Sequence, residues 1–290
     1  MNSEYEQWEH EKHIRELPDT YIGSSNPEEK DLYIYKDSKI SKQSVTWVPG
    51  LFKIFDEIIV NAIDNHTRTK REKEKGSKRM IKMVSKLEVD INKETGLISV
   101  LNDGEGIEVK KMDTDKKKDI YVIELIFGEL LTSENYKGKG EKKLTGGKNG
   151  YGAKLTNIFS KIFTVESVDR KKKLLYSQTW KDNMRVKEAP IITKYDGEPY
   201  TKITFLPDYE RFSQNGLTED MYSVFAKRVY DCALWFSGNM KIELKTPLKT
   251  KDVSPVSVYF NGEEIECSLL NYISKYTNNE LEEKDILIET

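Results

Sequence analysis

The chain has 290 residues, with 47 Lys and Arg against 49 Asp and Glu, a formal net charge of −2. That balance excludes a globally basic nucleic-acid-binding chain, though not a local basic patch. An aromatic content of 10% excludes disorder, two cysteines exclude a disulfide framework, and three histidines leave little for a His-rich metal site.

The first residues are acidic, with no apolar stretch of the secretory kind, and no apolar run reaches the roughly 20 residues that span a bilayer. The expectation is a soluble globular protein of a reducing compartment, with one large or two modest domains. Residues 3–19 are net acidic, and 51–65 have the apolar spacing of an amphipathic helix. Residues 70–86, 110–118 and 137–143 are basic stretches, read either as solvated loops or as contacts for a polyanion. Residues 87–91 alternate, 92–96 are turn-like and 97–101 form a second apolar run, which predicts a hairpin. Residues 121–131 are apolar enough for a buried helix. Residues 133–150 read as a mobile Gly- and Lys-rich loop, and 151–159 as a helix opening directly after it. Strands are predicted at 163–168, 174–180, 190–193 and 201–206, a long helix at 218–236, and a strand at 256–260 ending in an Asn261-Gly262 turn. Helices and strands mix without βαβ alternation, so the expected class is α+β: a mixed sheet with helices on one face.

On the helix at 51–65, Glu57, Asn61 and Asp64 fall at i, i+4 and i+7 and share one stripe, while Phe55, Ile59 and Ala62 lie roughly opposite. Lys53 precedes Glu57 by one turn, so a plain surface pair is one reading. The other is chemical: a carboxylate can serve as general base on water, and an amide oxygen can be a neutral ligand to Mg²⁺.

Two glycine clusters follow. Asn102-Asp103-Gly104-Glu105-Gly106 is either a strand-end turn or a place where a polar side chain reads a ligand while glycines let the backbone approach. In residues 145–154, Gly146, Gly147, Gly150 and Gly152 open an apparent helix beside Lys148 and Lys154. Backbone N–H groups at a helix start bind anions, which predicts a phosphate site, against a flexible loop as the plainer reading. The P-loop pattern fails, because Ala153-Lys154 stands where Lys-Ser/Thr is required. Residues 133–146 read as a lid.

A Glu-x-x-x-Asn-x-x-Asp helix, an Asn-x-Gly-x-Gly turn and a Gly-rich lid opening a helix, in that order, resemble the Bergerat-fold (GHKL) ATPases. That superfamily holds the gyrase, heat-shock chaperone, sensor histidine kinase and mismatch-repair ATPase domains. Five stretches are similar to the N-terminal ATPase region of eukaryotic-type (type IIA) DNA topoisomerase II. They are Glu11-Lys-His-Ile-Arg-Glu-Leu-Pro-Asp-Thr-Tyr-Ile-Gly23, Lys53 through Asn65, Leu130-Leu-Thr-Ser-Glu-Asn-Tyr136, Gly146 through Lys154, and Gln178-Thr-Trp-Lys-Asp-Asn-Met184. The resemblance runs from about residue 10 to about residue 275.

It implies a two-layer α/β sandwich that uses ATP and Mg²⁺. Glu57 matches the general base that polarises the attacking water, and Asn61 the Mg²⁺ ligand. Asp64 falls in the same nucleotide-binding stripe and Asn65 near the ribose. Asn102 matches the adenine-side contact, where many bacterial relatives carry Asp; an amide carbonyl still accepts from the adenine amino group. Thr201 matches a second adenine-side residue. Ser133, Glu134 and Asn135 match lid-proximal contacts, with Glu134 standing where relatives often have Ser. Gly147, Lys148, Asn149, Gly150, Tyr151, Gly152, Ala153 and Lys154 match the triphosphate-cradling loop. Tyr21, in the N-terminal arm, matches a residue reaching the partner subunit's nucleotide.

By the same resemblance, residues 1–262 are the ATPase domain with its arm, and 263–290 are the incomplete start of a transducer domain. The family's transducer supplies a switch lysine from a Gln-Thr-Lys loop. Here Gln178-Thr179 is followed by Trp180, and no Gln-Thr-Lys occurs. The implied activity is the ATP-hydrolysing part of a topoisomerase, homodimerising on ATP and meeting double-stranded DNA through the full-length enzyme. The chain alone lacks room to cleave DNA. No membrane is implied, and the implied setting is intracellular, in the nucleus or a viral or cytoplasmic compartment. Two alternatives stay open: a nucleotide-gated dimerisation module with little hydrolysis in isolation, and a mismatch-repair or chaperone-type ATPase.

Overall fold

A computed structural model describes residues 10–76, 81–113, 119–130, 152–236 and 256–277. Two short helices, α1 (His10–Glu16) and α2 (Asp19–Ile22), lead into a hairpin of β1 (Glu28–Lys36) and β2 (Lys39–Trp47). Asp37 and Ser38 both have positive φ, as a two-residue hairpin turn of the tightly twisted kind demands. The chain then enters α3 (Pro49–Glu74). Val48 caps it in an extended conformation and Pro49 sits in its first turn, where a missing N–H costs nothing. Leu51, Ile54, Phe55, Ile58, Ile59 and Ala62 are buried along its inner face.

The helix at 51–65 thus exists but runs nine residues further. Apolar periodicity fades after Ala62, yet the Lys, Arg and Glu that follow are good helix formers. Arg68 pairs with Glu72 at i+4, and Thr69 remains buried.

The main sheet has nine strands among the described residues. Its spatial order is β10 (Ile191–Lys194), β8 (Leu174–Lys181), β7 (Ser160–Asp169), β11 (Tyr200–Pro207), β4 (Ile98–Asp103), β3 (Lys86–Ile91), β12 (Ser257–Phe260) and β13 (Glu263–Ile265), with β9 (Val186–Lys187) also on β8. Every pairing is antiparallel except β12 with β3. Register puts Val89, Val100, Ile203 and Val165 in one cross-strand row and Ile91, Ile98, Phe205 and Phe163 in the next. All eight are buried, so this face meets the helices. On the other face Ser99, Leu101, Lys202, Thr204 and Thr164 are only half-buried. The expected α+β class, a mixed sheet with helices on one face, holds.

A small pairing of β5 (Lys111–Met112) with β6 (Ile120–Tyr121) leads into α4 (Val122–Gly128), which stops where Gly128 presses on Trp180. Helix α5 (Gly152–Ile158) and the long α6 (Glu219–Phe236) fall where expected. The loop expected at 133–150 lies outside the described residues. The domain boundary expected at residue 262 falls inside the β12–β13 hairpin, after which Ser268 caps α7 (Leu269–Ser274) through the Asn271 N–H. Tyr272 of α7 donates to Asp231 of α6 at 2.6 Å. Among the described residues no helix is long and apolar enough to cross a membrane.

Candidate active site

The site is built on two helices and one end of the sheet. Glu57 lies on the flank of α3 that meets α5, with its side chain 15% exposed. One carboxylate oxygen pairs with Lys53 a turn earlier. The other faces Gly152, the first residue of α5, so closely that a Cβ there would collide with it. The plain Lys53/Glu57 pair is therefore present, but it is half of the arrangement. A side chain at 152 would push this carboxylate out of the place it now holds.

Helix α5 is fixed in that position by side-chain bonds to its neighbours. Thr156 Oγ1 donates to the Ile54 carbonyl of α3 at 2.8 Å, and Asn157 Nδ2 to the Phe127 carbonyl of α4 at 3.1 Å. Ala153 and Lys154 are buried on the same helix. Lys154 is 2% exposed, and burial pulls its ammonium down to about 8, opposed in part by Glu129.

The second group lies on the helix-facing side of the sheet. Asn102 of β4 is directly opposite Thr201 of β11, and Thr201 directly opposite Ser167 of β7. Cross-strand partners share a face, so the three side chains form one polar row. Asn102 is buried and its Nδ2 donates to the Asp103 carbonyl at 2.9 Å, which leaves Oδ1 as the accepting end of the amide. Thr201 and Ser167 share a hydroxyl bond of 3.1 Å.

The turn after Asn102 explains its own composition. The Asp103 carboxylate accepts the Ser85 and Lys86 N–H groups, each at 2.6 Å. Gly104 has φ +104° and lies against Val84, and Gly106 presses on the Val168 carbonyl. The turn reading thus accounts for Asp103 and the glycines, while the amide oxygen of Asn102 stays available to a ligand.

Asn61, Asp64 and Asn65 continue along α3 and are half-buried. Asn65 Oδ1 accepts from Arg68 at 2.7 Å. Tyr21, on α2, has its hydroxyl 3.0 Å from His13 Nδ1 within the same chain. Ser133, Glu134, Asn135, Gly147, Lys148, Asn149, Gly150 and Tyr151 lie outside the described residues.

Sequence reasoning missed one participant and one support. Ser167 is a polar residue at an inward strand position, and that mismatch was its only signal. Arg228 of α6 binds Asp56 at 2.6 Å on another flank of α3 from Glu57, and nothing local foretells that pair.

No protein-family model matches the chain. It is 48% identical over 217 residues to a probable DNA topoisomerase 2 of Dictyostelium discoideum, covering 74% of this chain and 13% of that protein. It is 39% identical over 266 residues to the DNA topoisomerase 2 of Acanthamoeba polyphaga mimivirus, covering 90% of this chain and 20% of that protein. The chain thus spans a fifth or less of the length of these curated relatives. The solved ATPase region of Saccharomyces cerevisiae topoisomerase II matches with a TM-score of 0.77 at 39% identity, over 95% of this chain and 65% of that one. The ATPase and transducer domains of the Balamuthia mandrillaris enzyme match with the same TM-score at 38% identity, over 94% and 63%.

Proposed function

Because the chain belongs to the family of the N-terminal ATPase region of eukaryotic-type (type IIA) DNA topoisomerase II, we propose that it binds and hydrolyses ATP as the head of a DNA strand-passing enzyme. The observation that carries the reading is the Glu57 carboxylate set against the glycine that opens α5, with Lys154 buried on that same helix.

Glu57 polarises a water, and Lys53 holds one of its oxygens so that the other addresses the α5 side. Lys154 carries a positive charge into a desolvated place on the helix that follows the glycine-rich loop, where it can meet a phosphate. Asn102 Oδ1 accepts from the adenine amino group and Thr201 lies beside it. Asn61 offers a neutral amide oxygen to magnesium, Asp64 and Asn65 line the same flank, and the undescribed segment with Ser133–Asn135 and Gly147–Tyr151 completes the phosphate cradle. Among the described residues no three His, Cys, Asp or Glu side chains gather as a metal cage. Magnesium needs none, since it keeps waters and takes phosphate oxygens, and when bound it neutralises phosphate charge.

The same reading takes residues 1–262 as the ATPase domain and 263–290 as the start of a transducer, although β13 still belongs to the main sheet and the chain leaves it only after Ile265. It takes two copies as a clamp closed by ATP, with Tyr21 reaching the partner's nucleotide, and double-stranded DNA as the cargo of the full-length, intracellular enzyme.

Glu57→Ala tests the assignment. Nucleotide binding should persist while turnover falls by roughly 10²-fold or more. Unchanged turnover removes Glu57 as the base. Tight binding with negligible turnover in the unaltered chain would instead support a nucleotide-gated module. A mismatch-repair or chaperone ATPase is not favoured, since the relatives described above are DNA topoisomerase 2 proteins.

A further inference from the structure

We propose that Ser167 fixes the hydrogen-bond direction of Thr201, and through it the preference of this pocket for adenine over guanine. This rests on the reading that a nucleotide base lies against Asn102 and Thr201.

The argument starts at a backbone amide. The Ile107 N–H, in the turn after Gly106, donates to Ser167 Oγ at 3.0 Å. An amide N–H cannot accept, so Ser167 is the acceptor in that bond. Ser167 is fully buried, and among the described residues its one other partner is Thr201 Oγ1 at 3.1 Å. A buried hydroxyl proton left without an acceptor is costly, so Ser167 gives its proton to Thr201. Thr201 thereby receives a bond from behind, and its own proton is free to be donated outward. The result is a one-way chain, from the Ile107 amide to Ser167 to Thr201 and on to a ligand, in which each bond polarises the next.

Beside it, Asn102 is fixed with the opposite sense. Its amino end is held by the Asp103 carbonyl, so its oxygen is the accepting end. The adjacent pair therefore presents one acceptor and one donor. That complements a base edge with an amino group next to an accepting ring nitrogen, which among the purines is adenine. Guanine presents a carbonyl oxygen next to a ring N–H, so it sets acceptor against acceptor and donor against donor.

Ser167 is also where the glycine turn meets the sheet. Gly106 packs within 3.2 Å of its oxygen for any added Cβ, and the next residue of the turn supplies the N–H. Asp169, two residues on, accepts the Val109 N–H at 2.8 Å. The turn is thus latched to β7 at two points, and the one that ends on Thr201 is the hydroxyl. Ser167 is a positioning residue: it acts on the base through Thr201.

The test uses the 290-residue chain and calorimetric titration with non-hydrolysable analogues of ATP and GTP. The unaltered chain should prefer the adenine nucleotide. Ser167→Ala should lower the adenine-to-guanine affinity ratio about five- to tenfold, the worth of one net hydrogen bond, and Ser167→Thr should restore it. If Ser167→Ala does not fold, Thr201→Val should lower the ratio in the same way while Thr201→Ser keeps it. A purely structural role for Ser167 weakens both nucleotides equally and leaves the ratio unchanged; that result overturns this inference and leaves ATP binding standing. Failure of the unaltered chain to bind either nucleotide overturns the proposed function itself.

Discussion

Raising the pH from 7 to 9 should weaken nucleotide binding through one side chain, Lys154. It is 2% exposed, and burial draws its ammonium down to about 8 against an ordinary value of 10.5. With that value the empty site is about nine-tenths protonated at pH 7 and about one-tenth at pH 9. A phosphate that needs the ammonium then finds roughly tenfold less competent protein, a loss of about 1.4 kcal/mol in apparent affinity. The ligand's own terminal phosphate sheds its second proton near pH 6, so it contributes little over this range.

Titration calorimetry with a non-hydrolysable ATP analogue at pH 7, 8 and 9 reads the effect. At pH 8, buffers of different ionisation heat should reveal uptake of about half a proton per nucleotide bound. Lys154→Arg should flatten the profile, since a guanidinium stays charged throughout. Equal affinity at pH 7 and 9, or an equal decline in the arginine variant, would refute the reasoning. The empty chain supplies a second readout of opposite sign. Because the folded value lies below the unfolded one, the folded state holds fewer protons between about pH 8 and pH 10.5. This group therefore makes the protein more stable as pH rises through that window.

Gly152→Ala puts a methyl group where the Glu57 carboxylate now lies, so the carboxylate must swing aside; turnover should fall more than nucleotide affinity, with little change in urea unfolding. Asn61→Ala should remove the magnesium-dependent part of nucleotide binding and leave the metal-free part unchanged, which titrations with and without Mg²⁺ would show. Asp56→Asn leaves the Arg228 guanidinium without its carboxylate. The pair is partly open to solvent, each side chain being 22% exposed, so the loss should be about 2 kcal/mol, below that of a fully buried pair, and measurable by denaturant titration.

The parts of this fold legible in the sequence are those whose periodicity is local. The inner face of α3 and the β3–β4 hairpin follow from apolar spacing and an Asn-to-Gly turn. The β1–β2 hairpin does not, because of its eighteen strand residues only Ile34, Ile40 and Val45 are buried. A strand pair covered so thinly leaves little apolar alternation in the sequence. The end of α3 was missed for a related reason: its last turns are held by propensity and ion pairs, which leave no apolar stripe. At the site, Glu57 and Asn61 were visible because helical spacing alone aligns them. Gly152 was visible only as one glycine of a loop, and its contact with Glu57 depends on how α5 docks. Ser167 could not be assigned at all, since its role requires β7, β11 and β4 to be neighbours in one register.

That docking also separates the surroundings of two adjacent acids. Asp56 and Glu57 are consecutive on α3, and a helix turns about 100° between them, so they leave it on different flanks. Asp56 meets Arg228 of α6 at 2.6 Å, on an element that supplies packing and no glycine. Glu57 meets Lys53 with one oxygen and the bare backbone of Gly152 with the other. Each acid has its own cation, so the two charges do not accumulate on α3, but only Glu57 has an oxygen turned toward Gly152 at the start of α5. The sheet side of α3 is closed by Ile54, Ile58 and Ala62, and its α5 flank is pinned through the Ile54 carbonyl. With both restraints in place the helix cannot rotate to exchange the two acids. If Glu57 is the base, as proposed, it is so because its flank of α3 receives the glycine at the start of α5.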